Sequence, residues 1–261
     1  MSSEIETSLD ISGSRRIQGF LDSARNDSRE NSPQCLFSRL DAYHYGVAHS
    51  AAMNMAIDEA LLESAAGPSI RFYRWQSPAL SFGYFGNFSD VAIYDGERDL
   101  VRRWTGGGIV LHGDDLTYSI VIPLHNAALA ESSLAIYERI HRALAEALNG
   151  IGECAEVVGS TRCADRPLHG VATNNCFANP VRADVMVDGR KIAGAAQRRT
   201  RRGLMQQGSI QGITLENDLA QRFARGLSAE CSERQLERKI LERARELAQQ
   251  KYGTDSWLRK R

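Results

Sequence analysis

The 261-residue sequence lacks the features of a membrane protein, a secreted protein and a nucleic-acid-binding protein. No apolar run approaches the roughly 20 residues that a helix needs to cross a bilayer. The first six residues are polar and acidic, whereas a signal peptide begins basic and continues apolar. The 32 Lys and Arg residues balance 32 Asp and Glu residues, so no excess of positive charge indicates a nucleic-acid partner. We therefore expect a cytoplasmic protein without membrane or nucleic-acid partners.

Cysteine is also scarce. The five cysteines are odd in number and include no Cys-x-x-Cys pair, which argues against a disulfide framework and against a zinc knuckle. We expect free thiols and no bound metal. The cysteines are Cys35, Cys154, Cys163, Cys176 and Cys231.

The chain divides by composition into a leader and one catalytic domain. Residues 1–34 are rich in Ser, Asn, Asp, Glu and Arg, so they cannot bury much apolar surface and are predicted to be disordered. Residues 35–261 are predicted to form a single domain, with core motifs over 50–212 and a helical segment over 217–252 that ends the fold.

Apolar periodicity predicts an α+β fold, a mixed and mainly antiparallel sheet flanked by helices. Helical spacing covers residues 51–64, 133–148 and 232–252. The dipeptide Asp188-Gly189 within an alternating segment predicts a hairpin with a primed turn, which places Lys191 at the start of a strand. Runs rich in aromatic and β-branched residues predict strands over residues 70–75, 79–84, 100–104, 109–112 and 116–122.

The segment Arg102-Arg103-Trp104-Thr105-Gly106-Gly107-Gly108 is typical of a ligand-binding loop. Glycine lets a ligand approach backbone amide groups, and an adjacent arginine supplies charge and forked donors. Because side chains alternate along a strand, at most one of the two arginines is expected to reach the ligand.

Two later segments, Lys191-Ile192-Ala193-Gly194-Ala195-Ala196-Gln197 and Gly208-Ser209-Ile210, follow that loop in order. Together the three motifs resemble the catalytic domain shared by lipoate-protein ligases, biotin-protein ligases and lipoyl-domain octanoyltransferases. The resemblance covers about residues 50–212 and implies the fold of that domain. By this resemblance the substrate-binding residues are Arg102, Arg103, Thr105, Gly106, Gly107, Gly108, His112, Gly194, Ala196, Gln197, Gly208 and Ser209.

Cys176 and Lys191 are the predicted catalytic residues. The Cys-Phe pair at residues 176–177, one motif before Lys191, resembles the position that carries an acyl thioester in cysteine-dependent octanoyltransferases. An ammonium near the thiol would lower the thiol pKa and increase the reactive thiolate. His112 has two interpretations, a general base or a histidine that only forms part of the wall. The other four cysteines are expected to be small buried residues.

The resemblance implies an acyltransferase of lipoate assembly. Cys176 would accept an octanoyl group from acyl carrier protein and pass it to a lysine of a lipoyl domain, in a 2-oxoacid dehydrogenase or the glycine cleavage H protein, without a cofactor. One alternative is a lipoate-protein ligase that uses ATP and Mg²⁺ to form an acyl-adenylate, which the all-glycine loop at residues 106–108 favours. Another is a non-catalytic module that binds a lipoyl domain or an acyl carrier.

Overall fold

A computed structural model describes residues 35–44, 46–159, 181–214 and 218–260. The predicted leader, Cys163 and Cys176 lie outside these residues. The strands are β1 (Arg39–Tyr43), β2 (Ser69–Tyr73), β3 (Ala79–Phe82), β4 (Asp99–Arg102), β5 (Val110–His112), β6 (Leu116–Pro123), β7 (Ala155–Val157), β8 (Val185–Val187), β9 (Arg190–Thr200), β10 (Gly203–Ile210) and β11 (Glu230–Arg234). The α-helices are α1 (Ala51–Ser64), α2 (Ser133–Asn149), α3 (Leu219–Leu227), α4 (Arg238–Leu247) and α5 (Asp255–Leu258).

Eight strands form one sheet in the order β11-β1-β2-β6-β10-β9-β8-β7, and β4-β3-β5 form a second, smaller sheet. In the large sheet β1 runs parallel to both β11 and β2, and every other neighbouring pair is antiparallel. The predicted fold class, a mixed and mainly antiparallel sheet flanked by helices, is therefore confirmed.

Both faces of the large sheet are covered. Ile120 and Ile122 of β6 point into the apolar core that also contains buried residues of α2 and α3. Val121, between them, points into a second core built with α1 and α4. This alternation follows from the two-residue repeat of a strand, and it explains why β6 is buried along its whole length.

The local predictions hold over most of the chain. Helix α1 occupies residues 51–64 as predicted, and the hydroxyl of Ser50 caps it by accepting a hydrogen bond from the backbone N–H of Met53 at 3.4 Å. Asp188 and Gly189 have φ values of +50° and +74°, as a primed turn requires, so the predicted hairpin is confirmed. Cys35, Cys154 and Cys231 are free thiols, as predicted, but the prediction that they are buried is wrong, since Cys154 is exposed and the other two are only partly buried.

The prediction of a continuous helix over residues 232–252 is wrong at its start, and so is the helical segment over 217–252. Residues Glu230–Arg234 form strand β11, and α4 begins only at Arg238. β11 pairs with β1, about 190 residues earlier, and thereby gives hydrogen-bond partners to a strand edge that would otherwise be unpaired. Such a long-range pairing leaves no periodic signal in the sequence. No helix of the described ranges is long and apolar enough to span a membrane.

Candidate active site

A cleft of about 490 Å³, part of it open to solvent, lies where β9 and β10 approach the small sheet. Its wall is mostly apolar. Eight of the predicted site residues line it, namely Arg103, Gly107, His112, Lys191, Gly194, Ala196, Gly208 and Ser209. Eight further lining residues were not predicted, namely Met55, Tyr73, Trp75, Ser81, Val110, Thr117, Ala195 and Gln207. Ala195 lies within the Lys191–Gln197 motif but was not assigned a role, and the other seven lie outside the three motifs.

Lys191, the predicted catalytic lysine, is held by a buried carboxylate. Its ammonium nitrogen lies 2.7 Å from Oδ2 of Asp184, and both side chains are buried. The Tyr137 hydroxyl donates to the other carboxylate oxygen at 2.7 Å, and the backbone N–H of Val181 donates to Oδ2 at 2.7 Å. Groups from β9, from α2 and from the segment just before β8 thus meet at one point, so the ammonium has a fixed place in the wall of the cleft.

Gly194 makes this placement possible. A Cβ atom at Gly194 would lie 2.6 Å from Cε and 2.8 Å from Nζ of Lys191, closer than any real contact. The lysine side chain therefore folds back over the strand on which it begins. Asp184 was not identified from the sequence, where an aspartate seven residues before a lysine is an unremarkable spacing.

Behind this ion pair lies a histidine without contact with the cleft. His141 of α2 is fully buried, and burial lowers its pKa to about 4. Its Nδ1 lies 2.6 Å from the carbonyl oxygen of Ala183, and its Nε2 lies 2.8 Å from the hydroxyl of Tyr118. A neutral ring satisfies both contacts when Nδ1 donates to the carbonyl and Nε2 accepts from the hydroxyl. His141 therefore fixes the residue that precedes Asp184.

The two arginines of the glycine motif have separate tasks. The Arg102 guanidinium donates to backbone carbonyl oxygens of Tyr84, Gly86 and residues 257, 258 and 260, and it does not line the cleft. Arg103 lines the cleft and donates to the carbonyl oxygens of Gly106 at 3.1 Å and Gly108 at 2.7 Å. As expected from strand alternation, only one of the pair faces the cleft.

The glycine loop lies directly on another glycine. A Cβ atom at Gly83 would lie 2.0 Å from the carbonyl oxygen of Gly107, and Gly107 itself has a φ of +86°. Thr105 donates to Oε1 of Gln207 at 2.8 Å, and Gln207 in turn donates to Oδ2 of Asp58 at 2.7 Å. Thr105, Gly106, Gly108 and Gln197 were predicted to bind substrate, but the structure places them outside the cleft lining.

His112 belongs to a buried hydrogen-bonded chain. Its Nδ1 lies 2.8 Å from Oδ2 of Asp115, and its Nε2 lies 2.7 Å from the hydroxyl of Ser81. Burial lowers the pKa of His112 despite the opposing effect of Asp115, so the ring is neutral at pH 7. For Asp115, burial acts to raise the pKa, but hydrogen bonds from His112, Ser209 and the backbone of Gly113 outweigh burial and lower it. These groups, with the Arg103 guanidinium that donates to Ser81 at 2.6 Å, make one end of the apolar cleft polar.

A model of the lipoyl protein ligase A/B catalytic domain matches residues 50–250. The chain belongs to this family. Octanoyltransferase LipM of Oceanobacillus iheyensis is 40% identical to it over 169 residues, which are 61% of this chain and 59% of that protein. LipM of Brevibacillus brevis is 28% identical over 263 residues, with 80% of this chain and 95% of that protein covered. The chain thus spans less than two thirds of the first of these relatives.

The solved structures agree with the fold. A lipoate-protein ligase A bound with ATP superposes with a TM-score of 0.64 over 85% of this chain and 98% of that chain, at 23% identity. The lipoyl protein ligase family therefore accounts for the sheet and its flanking helices. Which chemistry the cleft performs is a separate question, since one fold in this family carries both ligases and octanoyltransferases by name.

Proposed function

We propose that this chain is a cytoplasmic protein-lysine octanoyltransferase of lipoate assembly. It would move an octanoyl group from acyl carrier protein to a lysine of a lipoyl domain, in a 2-oxoacid dehydrogenase or the glycine cleavage H protein, without a cofactor. The observation that carries the proposal is the Lys191 ammonium, held at 2.7 Å by Asp184 in the wall of a mostly apolar cleft. The octanoyltransferase relatives support the same assignment.

The proposed chemistry needs two transfers. In the first, Cys176 gives up its proton and its thiolate attacks the carbonyl carbon of the donor thioester; a new carbon–sulfur bond forms, the bond to the carrier sulfur breaks, and that sulfur takes up the proton. In the second, the neutral amine of the acceptor lysine attacks the carbonyl carbon of the acyl-enzyme; a carbon–nitrogen bond forms, the carbon–sulfur bond to Cys176 breaks, and the proton of the amine passes to the Cys176 sulfur. Lys191 would donate a hydrogen bond to the oxygen that becomes negative in both transition states.

The environment of Arg103 favours the transferase over an ATP-dependent ligase. An acyl-adenylate requires cations directed at its phosphate. Arg103 instead donates to two carbonyl oxygens of the glycine loop and, at 2.6 Å, to the hydroxyl of Ser81. Its charge is therefore used to shape the loop. A thioester substrate places no phosphate at this position and does not need that charge.

Intact-mass measurement tests the proposal. The enzyme is incubated with octanoyl carrier protein, with and without Mg-ATP, and then with a lipoyl domain. We expect one octanoyl mass on the wild-type enzyme without ATP, its removal by hydroxylamine, and transfer to the lipoyl domain.

Cys176→Ser should abolish both steps, because a serine hydroxyl at neutral pH lacks the nucleophilicity of a thiolate. Cys154→Ser is the matched control, since Cys154 is an exposed free thiol, and it should behave as wild type. Lipoyl-domain modification by Cys176→Ser with free octanoate and Mg-ATP would instead establish the ligase. Carrier binding with no acyl transfer under any condition would establish a non-catalytic module.

A further inference from the structure

The tip of the β9–β10 hairpin concentrates positive charge on a chain with no net charge. Arg198, Arg199, Arg201 and Arg202, here called the basic tip, lie within five residues. Three of them are exposed and Arg198 is half-buried. Among the described residues, no carboxylate lies within ion-pair distance of any of the four. The carboxylates of Glu63 and Glu131 nearby are paired with Arg243 and Arg139 instead.

The basic tip is held in place by backbone contacts. Arg199 donates to the carbonyl oxygens of Leu129 and Glu131 at 3.3 and 3.1 Å, and Arg202 donates to that of Glu63 at 3.2 Å. Thr200 orders the turn, since its hydroxyl accepts from the N–H of Arg202 at 3.1 Å. These bonds order the side chains without neutralising them. A surface ordered in this way loses less entropy when it binds a partner.

A track of small residues connects the cleft with the basic tip. Gly194, Ala196 and Arg198 alternate onto one face of β9, and the first two line the cleft. Arg198 closes this track. Its guanidinium lies 4.7 Å from the ring centre of Trp104 and donates to the Trp104 carbonyl oxygen at 3.0 Å. Its Nε atom is buried and has no hydrogen-bond partner within the described part of the chain, so one donor of Arg198 is left unsatisfied.

Distance identifies the kind of partner. Arg201 lies seven residues beyond Gly194, which is about 23 Å along an extended chain at about 3.3 Å per residue. The side chain of an acceptor lysine spans only roughly 6 Å at ordinary bond lengths, so a lysine on the very surface that contacts the tip would end well short of the cleft. A phosphopantetheine arm of about 14 bonds extends on the order of 18 Å. The long side chains of the basic tip cover the remaining distance.

We propose that the basic tip is the docking surface for the acidic face of the acyl-carrying donor protein, with the thioester arm along the Gly194–Ala196 track and its phosphodiester at Arg198. Leu124, 61% exposed, lies beside the tip, where its N–H donates to the Arg202 carbonyl oxygen at 2.9 Å. An apolar side chain among arginines suits a folded protein better than a nucleic acid. The proposal rests on the proposed function, because it names where the donor of that reaction binds.

The test measures acylation of the enzyme alone, without a lipoyl domain, from two donors. Octanoyl carrier protein offers a protein surface and a phosphodiester, whereas octanoyl-pantetheine has neither. The first variant is Arg201→Glu, which changes a side chain that makes no hydrogen bond or ion pair to the described residues. The second is the double variant Arg199→Glu/Arg201→Glu, which reverses one more charge of the basic tip. The control is Arg225→Glu. Arg225 is an exposed arginine on α3, which covers the face of the large sheet opposite the cleft.

We expect kcat/KM for the carrier donor to fall about tenfold or more in the tip variants, and the fall should come from a higher KM. The reason is that charges at the edge of an interface mainly control the rate at which the two proteins associate. The value for octanoyl-pantetheine and both values for Arg225→Glu should stay within about twofold of wild type. Binding of labelled carrier protein to Cys176→Ser should weaken in parallel when the tip charges are reversed, and that measurement needs no chemistry.

Three results would overturn the docking site. These are an equal loss with both donors, an unchanged KM for the carrier, and, in a separate assay of transfer to a lipoyl domain, a loss confined to the KM for that domain, which would assign the tip to the acceptor. Failure of the proposed function gives a different result, since wild type would then be acylated by neither donor while binding of the carrier could still be measured.

Discussion

Acid should destabilise this fold through His141, which lies behind the Lys191–Asp184 pair. Burial lowers the pKa of His141 from 6.5 to about 4 in the folded protein. The unfolded chain therefore binds a proton more readily than the folded protein between these values. The stabilising contribution is complete above pH 6.5 and is lost as the pH falls towards 4.

The magnitude follows from the two pKa values. At about 1.4 kcal/mol per pKa unit, the gap between 6.5 and about 4 corresponds to about 3.5 kcal/mol. Of this, about 2.5 kcal/mol is lost by pH 4.5. That is a large part of the stability of an ordinary domain, about 5–15 kcal/mol. The groups that face His141 are Tyr118, Tyr137, Asp184 and Lys191.

Urea unfolding at pH 7.5 and pH 4.5 measures the effect. In His141→Gln the site no longer titrates, so the wild-type free energy of unfolding should fall by about 2.5 kcal/mol more than that of the variant between the two pH values. Histidines and carboxylates elsewhere, such as His112 and Asp115, titrate in both proteins and cancel in the difference. The same pH dependence in wild type and variant would refute the buried, neutral His141.

Three further predictions concern the cleft. Gly194→Ala would place a Cβ atom 2.6 Å from Cε of Lys191, so enzyme acylation should slow about a hundredfold with little change in melting temperature, and a rate within twofold of wild type would contradict this placement. Asp184→Asn leaves a buried ammonium without its carboxylate and should cost about 3 kcal/mol in urea unfolding, part of it recovered by Lys191→Met in the same chain. A single-variant loss below about 1 kcal/mol would show that the pair is not buried as described. Met55→Ala should enlarge the cleft and raise the preference for dodecanoyl over octanoyl donors about tenfold, whereas Met53→Ala, outside the lining, should not, and an equal shift in both would place the end of the acyl chain elsewhere.

The sequence by itself determined the elements whose signal is local. Helix α1, the primed turn at Asp188-Gly189 and the strands around the glycine motif follow from periodicity, capping and turn chemistry within a few residues. Three ordered motifs also indicated the family that the comparison with known proteins shows. The placement of Lys191 at the start of a strand required no tertiary information, because the turn fixes it.

Other features depend on residues far apart in the chain. Strand β11 exists because β1 offers an unpaired edge, and nothing in the residues of β11 distinguishes it from the helix that follows. Asp184 meets Lys191 across the β8–β9 hairpin, but Tyr137 of α2, which holds the other carboxylate oxygen, lies 47 residues before Asp184. Strand alternation predicted that at most one of Arg102 and Arg103 faces the ligand. Only the structure decided which of the two faces the cleft.

The walls of the cleft show the same division. Its glycines and Lys191 were predicted because their chemistry is unusual for their position, whereas Met55, Tyr73 and Trp75 have the residue types of an ordinary core. An apolar side chain is identical in sequence whether it packs against a neighbour or borders a cavity, because the difference lies in what occupies the space opposite it. Sequence therefore determined the local frame and placed several residues of the cleft wall. Tertiary packing decided which buried charges pair and where space for a substrate remains.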